Sequence, residues 1–108
     1  MKVCELASLD MFEAVSLPSP EREITGAYVC DLLSWVMGRA NEGDAWITIM
    51  SNINVIAVAT LTDVSCIILA EGVRLDDELL NTARDKGVNV IVCQLSAYEA
   101  ALRLGGVI

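Results

Sequence analysis

Residues 45–69 read AWITIMSNINVIAVATLTDVSCIIL, and this stretch decides the fold. The apolar run Ala45–Met50 stops at residues 51–54 (SNIN), and apolar residues resume at Val55. Val64–Leu69 (VSCIIL) is continuously apolar, which is typical of a strand covered on both faces. With a strand predicted on each side, the segment between them determines how the sheet is built.

The segment Val55–Leu61 (VIAVATL) fits two structures. It is short and rich in β-branched residues, so propensity favours a strand that forms a hairpin with AWITIM around SNIN. A helix would instead supply the crossover that two parallel strands require. Ala57 and Ala59 would then provide small faces for packing on a sheet. The local sequence leaves both structures open.

The first half of the chain shows a similar alternation. Val3–Leu9 is predicted as a short helix and Phe12–Val15 as a short strand, before a loop that contains two prolines. Ile24–Cys30 (ITGAYVC) is predicted as a strand. Asp31 then caps a predicted helix, LLSWVMG, which Gly38 is expected to end.

The second half carries clearer signals. The acids of LDDELLNTARDKG open a helix and Gly87 stops it. Val88–Val92 is the next strand, and a capping box beginning at Ser96 opens a last helix, Ala97–Leu104. Alternating strands and helices predict one α/β domain over residues 1–108. It would be a three-layer domain with a mostly parallel sheet of about five strands and helices on both faces.

Charge and composition narrow the function classes. The net charge is −8 with only seven Lys and Arg, spread thinly, so the basic patch that nucleic-acid binding needs is missing. Hydrophobic residues make up 55% of the chain, above the usual share of about half. That surplus indicates strands buried on both faces or an apolar surface covered by a partner.

The cysteines argue against a metal site and suggest a compartment. Cys4, Cys30, Cys66 and Cys93 are scattered singly and there is no His, so the clustered ligands of a zinc site are missing. Thiols within apolar runs suit the reducing cytosol. No leader pattern and no apolar stretch near 18 residues is present, so we expect a cytoplasmic protein with no membrane span. We also expect no cofactor.

Two stretches taken together, SNINVIAVATL and CIILAEGVRLDDELLNTARDKGVNVIV, resemble the DRTGG domain family. These domains accompany CBS-domain proteins and some phosphate acetyltransferases, and they are similar to the N-terminal domain of HPr kinase/phosphorylase. The resemblance covers residues 24–104 and implies that Val55–Leu61 is a helix. SNIN stands where the family has a Gly-Asp-Arg loop, and Ala70-Glu71-Gly72 stands where it has a Thr-Gly-Gly turn, of which Gly72 is kept.

A fainter likeness is to the N-terminal domain of the Mur ligases, which binds a UDP group. There a strand ends near an Asp-Ser pair, and a Gly-Asp step leads into a further strand. Cys30-Asp31 and the segment 43–46 (GDAW) are similar to these features. This likeness is an analogy at the level of the fold.

Candidate ligand-binding residues follow from the predicted sheet. In open parallel α/β sheets, ligands bind beyond the carboxyl ends of the strands. Amides and a hydroxyl in SNIN suit a base, a sugar or a phosphate. The alternative is that Asn52 or Asn54 only caps the helix. The loop Gln94–Ser96 should lie at the same edge, and Arg39 is the cation expected to meet an anion, unless it pairs with Glu42 or Asp44. The predicted ligand-binding set is Asp31, Arg39, Ser51, Asn52, Asn54, Glu71, Gly72 and Ser96.

The sequence contains no recognisable catalytic motif. Without His, a hydrolytic triad lacks its usual base, and no GxxxxGK[ST] phosphate cradle is present. Asp31 and Glu71 could form an acid pair, but single carboxylates beside helix starts are usually caps, so we assign no catalytic residue. Trp35, Met37 and Trp46 fit either a core or an interface and favour a homodimer.

The sequence therefore predicts a non-catalytic regulatory module that binds a small ligand, such as a nucleotide or a phosphorylated metabolite. It would associate with itself or with a partner protein. The alternative is a pure dimerisation or scaffold domain without a ligand.

Overall fold

The contested segment is a helix. In the computed structural model, which describes residues 1–108, Ile53–Thr62 forms ten residues of helix between two parallel strands. The hairpin alternative is therefore wrong, and the helix that the family resemblance implies is confirmed. In chain order the elements are α1 (Val3–Ala7), β1 (Glu13–Ser16), β2 (Gly26–Val29), α2 (Leu33–Arg39), β3 (Asp44–Thr48), α3 (Ile53–Thr62), β4 (Cys66–Leu69), α4 (Asp77–Asp85), β5 (Val90–Val92) and α5 (Ala97–Gly105).

The strands form one five-stranded sheet in the order β1-β5-β4-β3-β2. Strands β2 to β5 are parallel, and each is joined to the next by a single helix. Strand β1 pairs antiparallel with β5. The predicted class, a mostly parallel α/β sheet of about five strands, is confirmed.

Every residue of β3, β4 and β5 is buried. Along β3, Ala45 and Ile47 pack toward the cluster that includes α1 and α5, whereas Trp46 packs toward the cluster that includes α2, α3 and α4. Helices thus cover both faces of the sheet. This arrangement accounts for part of the apolar surplus, because the central strands need apolar side chains on both sides.

Side-chain caps and a glycine mark the ends of α4 and α5 as the sequence predicts. Asp76 accepts a hydrogen bond from Leu79 N at 2.9 Å, and Ser96 forms the predicted capping box with Glu99. Gly87, with φ +74°, follows the end of α4 as expected. These caps satisfy backbone groups that a helix end leaves unpaired.

The prediction for Asp31 as a helix cap is wrong. Leu32 occupies the cap position of α2 without a side-chain hydrogen bond. The Asp31 carboxylate instead accepts from Thr48 Oγ1 at 2.7 Å and from Ile49 N at 3.0 Å. Because the end of the neighbouring strand β3 offers two donors, the carboxylate joins the exits of β2 and β3.

Gly38 does not end α2, because the helix continues to Arg39. A Cβ built on Gly38 meets no atom within 4 Å. We therefore expect Gly38→Ala to raise the free energy of unfolding by about 0.5–1 kcal/mol, since alanine loses less backbone entropy in a helix. Urea denaturation followed by circular dichroism measures this change in the free energy of unfolding. The matched variant Gly72→Ala should destabilise, because φ is +75° there and its Cβ would lie 2.7 Å from Gln94 Oε1. A loss of stability in Gly38→Ala would contradict the helix boundary.

The tryptophans separate into core and surface. Trp46 is fully buried, whereas Trp35 and Met37 are 49% and 54% exposed on α2.

None of the helices has the length and apolar content needed to cross a bilayer.

Candidate functional site

The carboxyl ends of β2 to β5 line one edge of the sheet, because these strands run in the same direction. The amino end of β1 joins this edge, since Glu13 pairs with Val92 at the end of β5. Neighbouring strands lie about 4.8 Å apart, so the exits of β2 and β5 are separated by roughly 14 Å. The predicted residues at these strand ends therefore stand in a row rather than around one pocket.

At the start of α3, Asn52 acts as a helix cap. Its Oδ1 accepts a hydrogen bond from Asn54 N at 3.0 Å. Ser51, Asn52 and Asn54 are all exposed, and none of them lines a cleft. Of the two interpretations of SNIN, the geometry directly accounts for capping.

The turn Glu71-Gly72 connects the exits of β4 and β5. Glu71 N donates to Leu95 O at 2.8 Å, and Gly72 N donates to Cys93 O at 2.9 Å. Both turn residues have positive φ, +60° and +75°. Because Gly72 has no Cβ, the side chain of Gln94 can lie directly against it. The glycine thus permits a close approach that another residue would block.

A cleft of about 200 Å³ opens beside this turn. Gly72 is the one member of the predicted set that lines it. Arg74 reaches across to Glu13, with Nη2 3.4 Å from Oε2, and both side chains are more than half exposed. Such a pair contributes less than about 1 kcal/mol, so breaking it to let the guanidinium contact an anion costs little. The remaining lining residues are Met11, Phe12, Val92, Cys93 and Gln94.

Two strained residues adjoin this cleft. Met11 lines it with φ +78°, and Glu71, with φ +60°, directly precedes Gly72. Non-glycine residues with positive φ are uncommon, and such strain collects at ligand-binding sites. Asp63 has the same backbone conformation at the end of α3, where it forms the helix cap.

Cys93 gives the cleft a neutral thiol. Burial raises the pKa of Cys93, and the nearby Glu71 carboxylate raises it further. At neutral pH the group is therefore protonated, and it is a poor nucleophile in this state. No group of three or more His, Cys, Asp or Glu side chains is arranged to hold a metal ion.

The remaining predicted residues lie apart from the cleft. Ser96 Oγ accepts from Glu99 N at 3.1 Å and caps α5. Arg39 is the last residue of α2, which runs back toward the amino end of β3, and its guanidinium stacks on Trp35 at 3.8 Å. The structure therefore does not place Arg39 at this edge.

Sequence reasoning missed Arg74, Glu13 and Met11 as residues of the cleft. One available signal was that Arg74 is the single Lys or Arg in the loops that follow β2 to β5 at this edge. No comparable signal identified Glu13, because its position depends on the pairing of β1 with β5, far apart in the chain.

Comparison with known proteins agrees with this architecture. The DRTGG domain family matches residues 22–107, which confirms the resemblance seen in the sequence. The fold is similar to that of the CBS and DRTGG domains of the regulatory region of Clostridium perfringens pyrophosphatase, complexed with its activator diadenosine tetraphosphate, with a TM-score of 0.65 at 20% identity. The match covers 86% of this chain and 40% of the pyrophosphatase chain. No curated protein matches the sequence significantly.

Proposed function

This chain belongs to the DRTGG domain family, and we propose that it is a cytoplasmic, non-catalytic regulatory module that binds a nucleotide or a phosphorylated metabolite. We further propose that it associates with itself or with a partner protein. The observation that carries the proposal is Arg74, the one Lys or Arg in the loops that follow β2 to β5, in a cleft beside Gly72. This edge is where open α/β sheets bind their ligands.

The cleft offers the groups that a phosphorylated ligand uses. The Arg74 guanidinium can donate two parallel hydrogen bonds to a phosphate, at the expense of its weak pair with Glu13. The Gln94 amide can both donate to and accept from a base or a sugar. Because a complete drug-sized ligand needs at least about 300 Å³, the cleft suits one phosphate-bearing end of the ligand.

The similar structure supports the ligand class. That regulatory region, with its CBS and DRTGG domains, is complexed with a nucleotide activator. The four free cysteines of the present chain support a reducing compartment. Its exposed apolar side chains support association with another surface.

A thermal-shift screen with ATP, diadenosine tetraphosphate and inorganic phosphate tests ligand binding. At a ligand concentration about 100 times Kd, stabilisation of about 2.7 kcal/mol is expected. For a domain of this size that corresponds to a rise in Tm of about 10 °C or more. Stabilisation by none of the compounds would contradict the nucleotide proposal and favour the second candidate, a ligand-free dimerisation domain, which the exposed apolar face of α3 supports.

Two arginine variants test which cation holds the phosphate. We expect Arg74→Gln to raise the nucleotide Kd about 10-fold or more, because a charge-assisted hydrogen bond is lost. Arg39→Gln changes the net charge equally but lies away from the cleft, so its Kd should stay within about 2-fold of the unchanged protein. Isothermal titration calorimetry measures both constants. Loss of binding in Arg39→Gln with binding kept in Arg74→Gln would overturn this site.

A further inference from the structure

A second concave surface lies on the opposite side of α3 from the core. We define the α3–α4 groove by Ile53, Ala57, Thr60 and Leu61 of α3 with Thr82 of α4 and Lys86 at the C-cap of α4, around a volume of about 380 Å³. Leu61 is 71% exposed and Ile53 is 50% exposed, although the inner face of the same helix is completely buried. A helix that is apolar on all sides is ordinarily covered on all sides.

The charges beside the groove have opposite signs at its two ends. Glu78, Thr82 and Lys86 follow one another at intervals of four residues, so they lie along one face of α4. Glu78 belongs to the first turn of the helix, and Lys86 is its C-cap. Neither takes part in a salt bridge, and about 12 Å of helix separates them. This face is therefore complementary to itself when one copy is reversed.

We propose that the α3–α4 groove is a self-association surface, in which a second copy docks through the same groove about a two-fold axis. This inference rests on the self-association included in the proposed function. The two α3 helices would run antiparallel, and Lys86 of each copy would meet Glu78 of the other. In such an isologous interface both copies use the same surface, so every contact is formed twice.

The net charge of the chain points to the same occupant. Two copies of a chain with net charge −8 repel each other over most of their surfaces. From Ala45 to Thr62 the sequence contains no charged residue, so the exposed side of α3 is free of this repulsion. A second copy can therefore approach closely here, with the two Glu78–Lys86 pairs at the ends of the groove adding attraction.

Sedimentation equilibrium of the full chain, without ligand, tests the surface. We expect a dimer whose Kd rises at least about 100-fold in Leu61→Asp, because a buried apolar contact is replaced by a charge. The matched variant Leu102→Asp alters a side chain that is 62% exposed on α5, across the sheet, and should leave Kd unchanged. A monomeric unchanged protein, or a larger effect of Leu102→Asp than of Leu61→Asp, would overturn the proposal.

A charge exchange tests the antiparallel arrangement. Glu78→Lys and Lys86→Glu should each raise the dimer Kd about 3- to 10-fold, because like charges then face each other. The double variant carries both changes and restores opposite charges at both ends, so its Kd should return toward that of the unchanged protein. Additive losses in the double variant would rule out this orientation. Nucleotide binding by monomeric Leu61→Asp separates this inference from the ligand proposal, because the Arg74 cleft lies at the edge of the sheet.

Discussion

Replacing Trp46 with alanine is expected to lower the free energy of unfolding by about 3–5 kcal/mol. Trp46 is fully buried in β3, the strand that lies between β2 and β4. Its Nε1 also donates to Cys30 O at 3.0 Å, which holds the end of β2 against β3. Because domains are stable by only about 5–15 kcal/mol, the variant should be close to unfolding at ordinary temperature.

Urea denaturation followed by far-ultraviolet circular dichroism measures this loss without depending on tryptophan fluorescence. Trp35→Ala is the matched control, because Trp35 is half exposed and contacts the Arg39 guanidinium. We expect it to cost about 1 kcal/mol or less. Trp46→Phe should fall between the two, since it keeps a ring and loses the hydrogen bond. Equal effects of Trp46→Ala and Trp35→Ala would contradict the described core.

The second large effect concerns Asn89, which is 1% exposed and joins three segments. Its Nδ2 donates to Ser19 O at 2.7 Å and to Ser65 O at 3.0 Å, and its Oδ1 accepts from Ser19 N at 2.9 Å. Asn89→Ala removes all three hydrogen bonds, so Ser19 N and Ser65 O lose this partner, whereas Ser19 O keeps the bond from Arg22 N at 3.4 Å. We expect a loss of about 2–4 kcal/mol, because buried unsatisfied groups are costly.

Asn81→Ala controls for removing an amide that is not buried, because Asn81 is exposed on α4. Its change in the free energy of unfolding should stay within about 0.5 kcal/mol. Asn89→Asp should destabilise at least as much as Asn89→Ala, since a carboxylate would face two carbonyl oxygens. Urea titrations at neutral pH measure the free energy of unfolding of each variant. A stable Asn89→Asp would show that the amide donates neither bond.

The fold could be predicted largely from local signals. The buried run at Val64–Leu69, the acids before α4 and the capping box at Ser96 each identified an element. Val55–Leu61 could not be assigned from its own residues, because its β-branched side chains favour a strand. Its burial against the sheet and the parallel pairing of β3 with β4 overrule that preference.

The candidate site was less predictable, because side-chain direction decides it. The sequence placed Gly72 at the correct edge, and Gly72 does line the cleft. Arg39 was expected there, but a helix that follows a parallel strand carries its last residue to the opposite edge. The Asp31 carboxylate was read as a helix cap, yet Thr48 and Ile49 of the neighbouring strand bind it. Contacts across strands such as these cannot be read from neighbouring residues.

The uncharged stretch Ala45–Thr62 has a further consequence in the unfolded state. Apolar, β-branched segments without charged gatekeepers pair readily between chains. In the native protein β3 is completely buried and α3 is wound into a helix, so the stretch offers no free strand edge. In the unfolded chain we expect this stretch to be the segment through which chains aggregate. We therefore expect denaturation to be reversible for dilute protein in urea and irreversible for concentrated protein on heating.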